Sequence, residues 1–476
     1  MTHTQKRSAI WTLVITSVAL FMVSLDNLVV TTAVPVIRRD LHATISQLEW
    51  TVNAYTLTFA VLLLTGAALG DRFGRRRLFA LGLLLFTGAS AAAALSTSAN
   101  TLDIARALQG VGGAIVMPLT LTILSAAVPA NRRALALGIW GGIGGLAIAI
   151  GPLVGGAIVS GISWHWIFWL NVPIGLVLAP LALARLEETR GADSGLDLPG
   201  LGLASAGLLG IVWGLVRGNA HGWTSAGIVG PIVVGVLLVA AFVAWELRTP
   251  SPMLPMHFFR DRTFALTNVA SLLMSFGMFG SIFLLAQFFQ TVQGMSPLQS
   301  GLRILPWTAM PIFIAPVAGA FLDRLGGGQR VMTVGLALQS AGLIWIASVT
   351  TTTTPYSHLV LPFILSGGGM ALFFTPVANV VLGSVRPEHE GKASGANNAI
   401  RELGGVFGVA VLASVFAHMG GYRSATTFVH GTTTAVYVGG AVVALGAVAA
   451  GLAGRRTPQL EAVQEPASLA EAAYRS

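Results

Sequence analysis

The chain has 476 residues, of which 54% are hydrophobic and only 9% are charged. Soluble domains carry about 25% charged residues, so this composition excludes a soluble globular fold and indicates a chain that lies mostly in lipid. The net charge of +9 does not indicate nucleic-acid binding, because the basic residues occur in short runs between apolar segments. The chain has no cysteine, which excludes disulfides and thiolate metal sites, and we expect no metal site.

About fourteen apolar segments are long enough to cross a bilayer, at ~20 residues each. The first begins after Lys6 and Arg7 and continues past Asp26, which is too long for a cleaved signal peptide. We therefore predict an all-α integral membrane protein. The segments lie near residues 8–37, 50–70, 78–99, 103–126, 134–160, 166–184, 198–217, 225–245, 264–286, 301–321, 331–350, 358–382, 396–418 and 432–453.

The positions of Lys and Arg predict the orientation in the membrane. If the N-terminus is cytoplasmic, most of the 27 basic residues fall in cytoplasmic connections. The outer connections then keep only Arg38, Arg39, Arg217 and Arg423. Because cytoplasmic loops carry the excess of basic residues in membrane proteins, the bias predicts cytoplasmic N- and C-termini.

Two connections repeat an Asp-Arg-x-Gly turn, at residues 70–77 and 319–326. Internal symmetry of this kind is typical of transporters in which two related bundles rock about a central site. The repeat predicts four parts: a six-helix bundle over 1–190, two inserted helices over 191–250, a second six-helix bundle over 251–454 and a cytoplasmic tail over 455–476.

Asp26 in the first segment and Arg106 in the fourth reach a similar depth in the membrane. A charged side chain inside a transmembrane helix costs ~2.5–3.5 kcal/mol on insertion scales and marks a candidate functional site. We predict that Asp26 binds and releases a coupling proton and that Arg106 controls this exchange. Two alternatives stay open: a static ion pair that only joins the helices, and pairing of Arg106 with Asp103, three residues earlier.

The fifth segment is rich in glycine. Each glycine costs ~1 kcal/mol relative to alanine in a helix interior, so close packing against another helix must compensate. We predict a flexible or tightly sealed helix at the interface of the bundles, and ordinary small-residue packing is the alternative. The residues of this motif are Gly138, Gly151, Pro152, Gly155 and Gly156.

Taken together, these motifs resemble the fourteen-helix drug:proton antiporters of the major facilitator superfamily. The resemblance covers nearly the whole chain, with the motifs in the family's order. Ala67 and Ala147 stand where the family has glycine, and His165 stands where it usually has arginine. The matching strings are Leu25-Asp26-Asn27, the turn at 70–77, Arg106-Ala107-Leu108-Gln109-Gly110, Gly151-Pro152, Trp164-His165-Trp166 and Asn171-Val172-Pro173.

The resemblance implies the major facilitator fold and export of drugs or antibiotics from the cytoplasm by alternating access, with multidrug efflux and antibiotic resistance as the biological role. It also implies a monomer in the bacterial inner membrane. It implies a conformational clasp at the repeated turn, and a central cavity for the substrate. The clasp residues are Asp71, Arg72, Gly74, Arg75, Asp323 and Arg324, and the cavity residues are Asn53, Tyr55, Gln109, Phe276, Phe279 and Gln287.

We expect the proton gradient as the energy source and no cofactor, since the sequence contains no P-loop for ATP. The expected partners are the lipid bilayer and a small molecule such as a lipophilic or cationic drug. Proton-coupled export or uptake of an endogenous metabolite is the alternative. An enzyme is disfavoured because the nine histidines form no catalytic pattern. Arg401 and Glu402 are expected to form a local pair at the inner surface.

Overall fold

The computed structural model describes residues 3–190, 197–314, 327–386 and 390–453. Over these residues the secondary structure is helical, without a β-strand. The α-helices are α1 (His3–Asp40), α2 (Ile45–Phe73), α3 (Arg75–Ala94), α4 (Ala99–Ala127), α5 (Ala130–Gly161), α6 (Trp166–Trp169), α7 (Asn171–Arg185), α8 (Leu198–His221), α9 (Ala226–Glu246), α10 (Arg262–Thr291), α11 (Pro297–Thr308), α12 (Gly328–Val349), α13 (Ser357–Leu382), α14 (Glu390–Met419) and α15 (Ala425–Leu452).

Most of these helices are long and apolar enough to cross a bilayer. In the described residues there are eleven such spans, with α6 and α7 together forming one of them, and the bent helix α2 brings the number to as many as 12. The helices α5 and α11 fall in the two remaining apolar segments of the sequence. The structure therefore confirms an all-α, multi-pass membrane protein, while the count of fourteen spans stays a prediction.

The connections alternate between two faces of the protein. We call the face with the α1–α2 connection the His42 face, and the face with the α2–α3 connection the Gly74 face. Four helices that begin on the His42 face start with capping boxes, in which a hydroxyl side chain caps backbone N–H groups of the first turn. The capping residues are Thr44, Ser98, Ser296 and Ser424.

The helices pack in two groups. In the first group, α1 packs on α4, α5 and α7, and α3 packs on α4 and α7. In the second, α10 packs on α14 and α15, and α12 packs on α13 and α15. The groups meet where α5 packs on α11 and where α2 packs on α14, and the pair α8–α9 lies beside α2 and α14 through α8. The domain boundaries from the sequence stay a prediction.

Candidate functional site

Asp26 of α1 and Arg106 of α4 form an ion pair inside the first group of helices. Arg106 Nη1 donates to Asp26 Oδ2 at 2.5 Å, and the two side chains are 0% and 1% exposed. Charges this far from water are tolerated only when they are paired and hydrogen-bonded. The structure thus brings together the two residues that the sequence placed at a similar depth, and their role in proton exchange stays a prediction.

Three further side chains complete the surroundings of the Asp26 carboxylate. Gln109 Nε2 and Asn171 Nδ2 each donate to Asp26 Oδ1 at 2.8 Å. The same two amide groups also donate to Ser90 Oγ of α3, at 2.6 and 3.1 Å respectively. An ionised carboxylate only accepts hydrogen bonds, so a set of N–H donors matches its charged form. Sequence reasoning did not identify Ser90 or Asn171 as members of this cluster, although Asn171 stands in one of the matching family strings.

The Arg106 guanidinium also contacts α2. Its Nε donates to the carbonyl oxygen of Thr51 at 3.2 Å, and its Cζ lies 4.3 Å from the ring centre of Tyr55. The face of an aromatic ring attracts a cation, so Tyr55 contributes to holding the charge in place. Arg106 Nη2 is buried and has no hydrogen-bond partner among the described residues.

Asp103, the alternative partner of Arg106, is engaged elsewhere. It is partly buried and accepts a hydrogen bond from Thr51 Oγ1 at 2.8 Å. Within the described part of the chain, the ion pair of Arg106 is with Asp26. Thr51 therefore links the two acidic side chains, because its hydroxyl contacts Asp103 and its carbonyl contacts Arg106.

Three of the six predicted cavity residues use their polar groups inside the protein. Tyr55 and Gln109 belong to the buried cluster around Asp26, and Gln287 of α10 accepts a hydrogen bond from the Tyr422 hydroxyl. Asn53 is fully buried, and its amide atoms have no hydrogen-bond partner in the described residues. That these residues line a substrate cavity stays a prediction.

The other two predicted cavity residues, Phe276 and Phe279, lie against α14. A Cβ added to Gly405 would lie 3.0 Å from the Phe279 ring, and one added to Gly408 would lie 2.7 Å from Phe276 Cα. These close approaches explain the glycines of α14 as packing sites for α10. They assign no substrate contact to either phenylalanine.

The turn between α2 and α3 holds four of the predicted clasp residues. Asp71 pairs with Arg75 at 2.8 Å, and the Arg72 guanidinium lies 5.5 Å from the ring centre of Phe73. Gly74 has φ +107°, a backbone conformation that other residues rarely adopt. Among the described residues, the ion pair of Asp71 is therefore within its own turn, and the clasp role stays a prediction.

Glu188, which sequence reasoning missed, organises the same turn. Its Oε1 accepts a hydrogen bond from the backbone N–H of Arg76 at 3.0 Å, at the start of α3. Its Oε2 lies 3.6 Å from the Nε atoms of both Arg76 and Arg77. A carboxylate at a helix N-terminus is favoured by the exposed N–H groups there. The corresponding residues of the second turn, Asp323 and Arg324, lie outside the described residues.

The glycines of α5 are contact points on two sides. A Cβ added to Gly151 would lie 2.9 Å from Leu28 Cβ, and one added to Gly155 would lie 2.6 Å from the carbonyl oxygen of Val29, both on α1. A Cβ added to Gly156 would lie 2.7 Å from Leu298 Cα of α11. This part of α5 is therefore wedged between α1 and α11.

Pro152, the fourth residue in this part of α5, also faces α11. A Cβ added to Gly301 of α11 would lie 2.8 Å from the Pro152 carbonyl carbon. Each helix therefore presents a glycine to the backbone of the other: Gly156 lies against α11, and Gly301 lies against α5. Gly138 lies nearer the start of α5. That these residues act as an antiporter motif stays a prediction.

Arg401 and Glu402 do not lie at a membrane surface. Glu402 is twelve residues after Glu390, where α14 begins, which places it about 18 Å along the helix at 1.5 Å per residue. Glu402 Oε1 lies 3.4 Å from Arg401 Nη2, and its Oε2 accepts a hydrogen bond from Asn27 of α1 at 3.4 Å. The local pair is confirmed, and its expected place at the inner surface is corrected: the helix begins earlier than its apolar segment, so the pair lies deep between the two groups.

Comparison with known proteins identifies the family. The sequence profile of the Major Facilitator Superfamily matches residues 16–409 and 312–475. The chain is 36% identical, over 85% of its length and 76% of the relative's, to the tetracenomycin C resistance and export protein of Streptomyces glaucescens. It is also 36% identical, over 87% of its length and 86% of the relative's, to the cephamycin export protein CmcT of Amycolatopsis lactamdurans. A third relative, the multidrug resistance protein Stp of Mycobacterium tuberculosis, is 35% identical over 86% of this chain and 76% of its own length.

Solved structures agree on the fold. An auto-inhibited peptide transporter of the POT family matches with a TM-score of 0.69 and 15% identity, over 96% of this chain and 98% of that one. The xylose transporter XylE from E. coli, in an inward-open conformation, matches with a TM-score of 0.63 and 13% identity, over 95% and 98% of the two chains. The profile match over most of the sequence, together with these relatives, shows that the chain belongs to the major facilitator superfamily and is a membrane transporter rather than an enzyme.

Proposed function

We propose that this transporter is a proton-coupled antiporter that exports drugs or antibiotics from the cytoplasm by alternating access. The observation that carries the proposal is the fully buried pair of Asp26 and Arg106. An apolar pair of similar size would join α1 and α4 at least as well, because desolvation cancels much of the attraction within a buried ion pair. Charges retained at such a position are expected to serve transport.

The cluster offers a direct way for a proton to act on the helices. A proton on Asp26 removes the negative charge that Arg106 Nη1 contacts and turns an acceptor oxygen into a donor. The hydrogen bonds from Gln109 and Asn171 then compete with that new donor. Because these side chains belong to α1, α4 and α7, proton binding changes the relative stability of the arrangements of three helices.

Contacts at the His42 face join the two groups of helices. Gln290 Nε2 of α10 donates to the carbonyl oxygen of Thr32 at 2.9 Å, and the Arg38 guanidinium lies 3.7 Å from the ring centre of Tyr422. Beside them, the backbone N–H of Leu298 donates to the hydroxyl of Ser160 at 2.9 Å. In the proposed cycle this is the outer face, because the basic residues concentrate on the Gly74 face. Both termini are then cytoplasmic, in a bacterial inner membrane.

The fifth helix supports export. Its glycines let α5 approach the backbones of α1 and α11 together, so α5 transmits movement of α1 to the opposite bundle. Three relatives that are 35–36% identical to this chain are named for resistance or export, which supports a drug or antibiotic as substrate. We propose that the transporter acts as a monomer, takes a lipophilic or cationic compound, and needs no cofactor beyond the proton gradient.

A resistance panel tests this proposal. A bacterial host without its own efflux pumps would express the wild type, Asp26→Asn or the control Glu187→Gln, whose side chain is exposed. We expect wild type and control to raise the inhibitory concentration of at least one compound, and Asp26→Asn to raise none. In inside-out vesicles, adding that compound should release protons from the lumen only with wild type and control.

Substrate counterflow separates a folding defect from a coupling defect, because it exchanges substrate without net proton movement. Asp26→Asn should retain counterflow if the protein is folded. Export of drugs is contradicted if no compound is affected and no compound releases protons. Proton release by an endogenous metabolite without any resistance would favour the alternative function, and an Asp26→Asn variant as active as wild type would remove Asp26 from the mechanism.

A further inference from the structure

Arg106 contacts one carboxylate, and a second carboxylate lies on its own helix one turn away. Asp26 on α1 accepts a hydrogen bond from Arg106 Nη1 at 2.5 Å. Asp103 lies three residues before Arg106 on α4, a spacing at which side chains of a helix meet. Thr51 connects the second acid to the same arginine, by its hydroxyl to Asp103 at 2.8 Å and by its carbonyl to Arg106 Nε at 3.2 Å. Arg106 Nη2 is buried and has no partner among the described residues, so the guanidinium has a donor to spare.

Asp26, Asp103 and Arg106 form an electrically neutral group only when one of the two acids carries a proton. Two ionised acids and one arginine would leave an uncompensated negative charge in a largely buried site, which is strongly unfavourable. One proton on either acid makes the group neutral. The other groups facing this site are Tyr55 of α2, which lies under the guanidinium as a neutral phenol, and the neutral Ser90 and Asn171 of α3 and α7. Glu402 of α14, which Asn27 of α1 contacts, is paired with Arg401, so this pair adds no net charge. Glu49 of α2 is a further buried acid outside these contacts.

The hydrogen bonds indicate which acid holds the proton in this conformation. The Asp26 carboxylate receives N–H groups from Arg106, Gln109 and Asn171, all of which require an acceptor. Asp103 is partly exposed and accepts one hydrogen bond, from the Thr51 hydroxyl to its Oδ1. Its carboxyl group therefore has room to carry a proton and to exchange it with water. The arrangement therefore matches an ionised Asp26 and a protonated Asp103.

We propose that Asp103 is the second counter-ion of Arg106, and that one proton shared by Asp103 and Asp26 determines which of them the guanidinium contacts. This inference rests on the proposed proton coupling at Asp26. In the transfer, the O–H bond on Asp103 breaks, water carries the proton, and an O–H bond forms on Asp26. No other atom moves between residues and the net charge is unchanged. Arg106 then leaves Asp26 for Asp103, one turn closer to the His42 face.

Exchange of counter-ions keeps Arg106 paired throughout the cycle. An arginine that simply lost Asp26 would remain charged and unpaired in the membrane interior, which is expensive. A second carboxylate one turn away makes the movement feasible, because the guanidinium always has a partner. Asp103 is thus a positioning residue for Arg106, and it also forms the route between Asp26 and water at the His42 face.

Infrared spectroscopy of the purified, full-length protein at neutral pH tests the inference without a substrate. In the difference spectrum against wild type, Asp103→Asn should lose the C=O stretch of one protonated carboxyl group, while any band from the buried Glu49 cancels because both proteins contain it. The same band should disappear from Asp26→Asn, because Arg106 then takes Asp103 as its counter-ion and ionises it. A wild-type band in Asp103→Asn, or its persistence in Asp26→Asn, would overturn the proposal. Glu187→Gln is the control.

Transport provides the second test, with ethidium, a fluorescent lipophilic cation, as the probe in inside-out vesicles. Asp103→Asn should lose ethidium-driven proton release and keep ethidium counterflow, and the conservative Asp103→Glu should restore release. If Asp103→Asn has the wild-type rate and pH profile while Asp26→Asn releases no protons, the inference fails and the proposed antiport stands. If Asp26→Asn also behaves as wild type, the proposed antiport itself fails.

Discussion

Replacing Asp26 by asparagine should destabilise the protein more when Arg106 is present than when it is absent. In the single variant the fully buried guanidinium loses the carboxylate that it contacts at 2.5 Å. Removing one partner of a buried ion pair costs about 3–5 kcal/mol. Here Arg106 loses the carboxylate in contact with it, and to pair with Asp103 its side chain must move and that acid must give up its proton. We expect Asp26→Asn to fall in this range.

The reverse change should cost less. Arg106→Gln leaves an ionised Asp26, but Gln109 and Asn171 still donate to its Oδ1 at 2.8 Å. We expect a loss of about 3 kcal/mol, at the lower end of the same range. The double variant removes both charges and should lie within about 1–2 kcal/mol of wild type, since neutral pairs at such positions are often nearly as stable.

Denaturant unfolding in mixed micelles gives the free energies for a double-mutant cycle, with the exposed Glu187→Gln as the control for surface charge. The cycle should show a coupling of several kcal/mol between Asp26 and Arg106. Additivity to within about 0.5 kcal/mol would refute the reasoning, because independent sites add to that precision. The double variant should also be folded and unable to release protons on substrate addition. Restored release would show that the charges are not the coupling site.

Other sites give sharper structural tests. Gly156→Ala should destabilise the protein by about 1–3 kcal/mol and slow transport, because its Cβ would enter the α11 backbone. Glu188→Gln should lower thermal stability by about 0.5–2 kcal/mol, since the cap at the start of α3 weakens. Tyr422→Phe should cost about 0.5–1.5 kcal/mol through the lost hydrogen bond to Gln287. Burial raises the pKa of Tyr422, so its hydroxyl remains a donor in alkaline solution where an ordinary tyrosine ionises.

Each of these predictions has a matched control variant or an outcome that would contradict it. Gly161→Ala, in the same helix but with open space around its Cβ, should be neutral in unfolding and vesicle transport assays. Glu187→Gln should leave the melting temperature unchanged, and an equal effect of both glutamate variants would contradict the capping role of Glu188. For Tyr422→Phe, a stability equal to wild type at pH 7 to 10 would show that the bond to Gln287 contributes nothing.

The sequence predicted the buried pair because depth in a transmembrane helix can be counted along the chain. Asp26 and Arg106 fall at similar depths in the membrane, and two side chains can contact each other only if their depths are similar. The sequence left open whether Arg106 pairs with Asp26 or with Asp103, since both acids are within its reach. The glycines of α5 were recognised as sites of close packing, but the partner helices were not, because small residues predict contact without naming what is contacted.

Residues from other helices were missed. Ser90 and Asn171 are ordinary polar residues in a sequence, and only the packing of α3 and α7 on α1 and α4 brings them to Asp26. Glu188 lies more than one hundred residues from Arg76 in the chain, although the two are hydrogen-bonded. Arg401 and Glu402 were placed at the surface because their helix begins before its apolar segment, so hydropathy misjudged their depth.

What the sequence by itself determined is the part governed by transfer between water and lipid: a multi-pass helical protein, the approximate spans, and the few charges that must lie inside the membrane. These follow from residue-by-residue costs that need no knowledge of neighbours. The tertiary structure decided which groups meet. It paired Arg106 with Asp26, linked Asp103 to Arg106 only through two hydrogen bonds of Thr51, and packed α5 between α1 and α11. Those contacts depend on how helices rotate and pack, which no local pattern specifies.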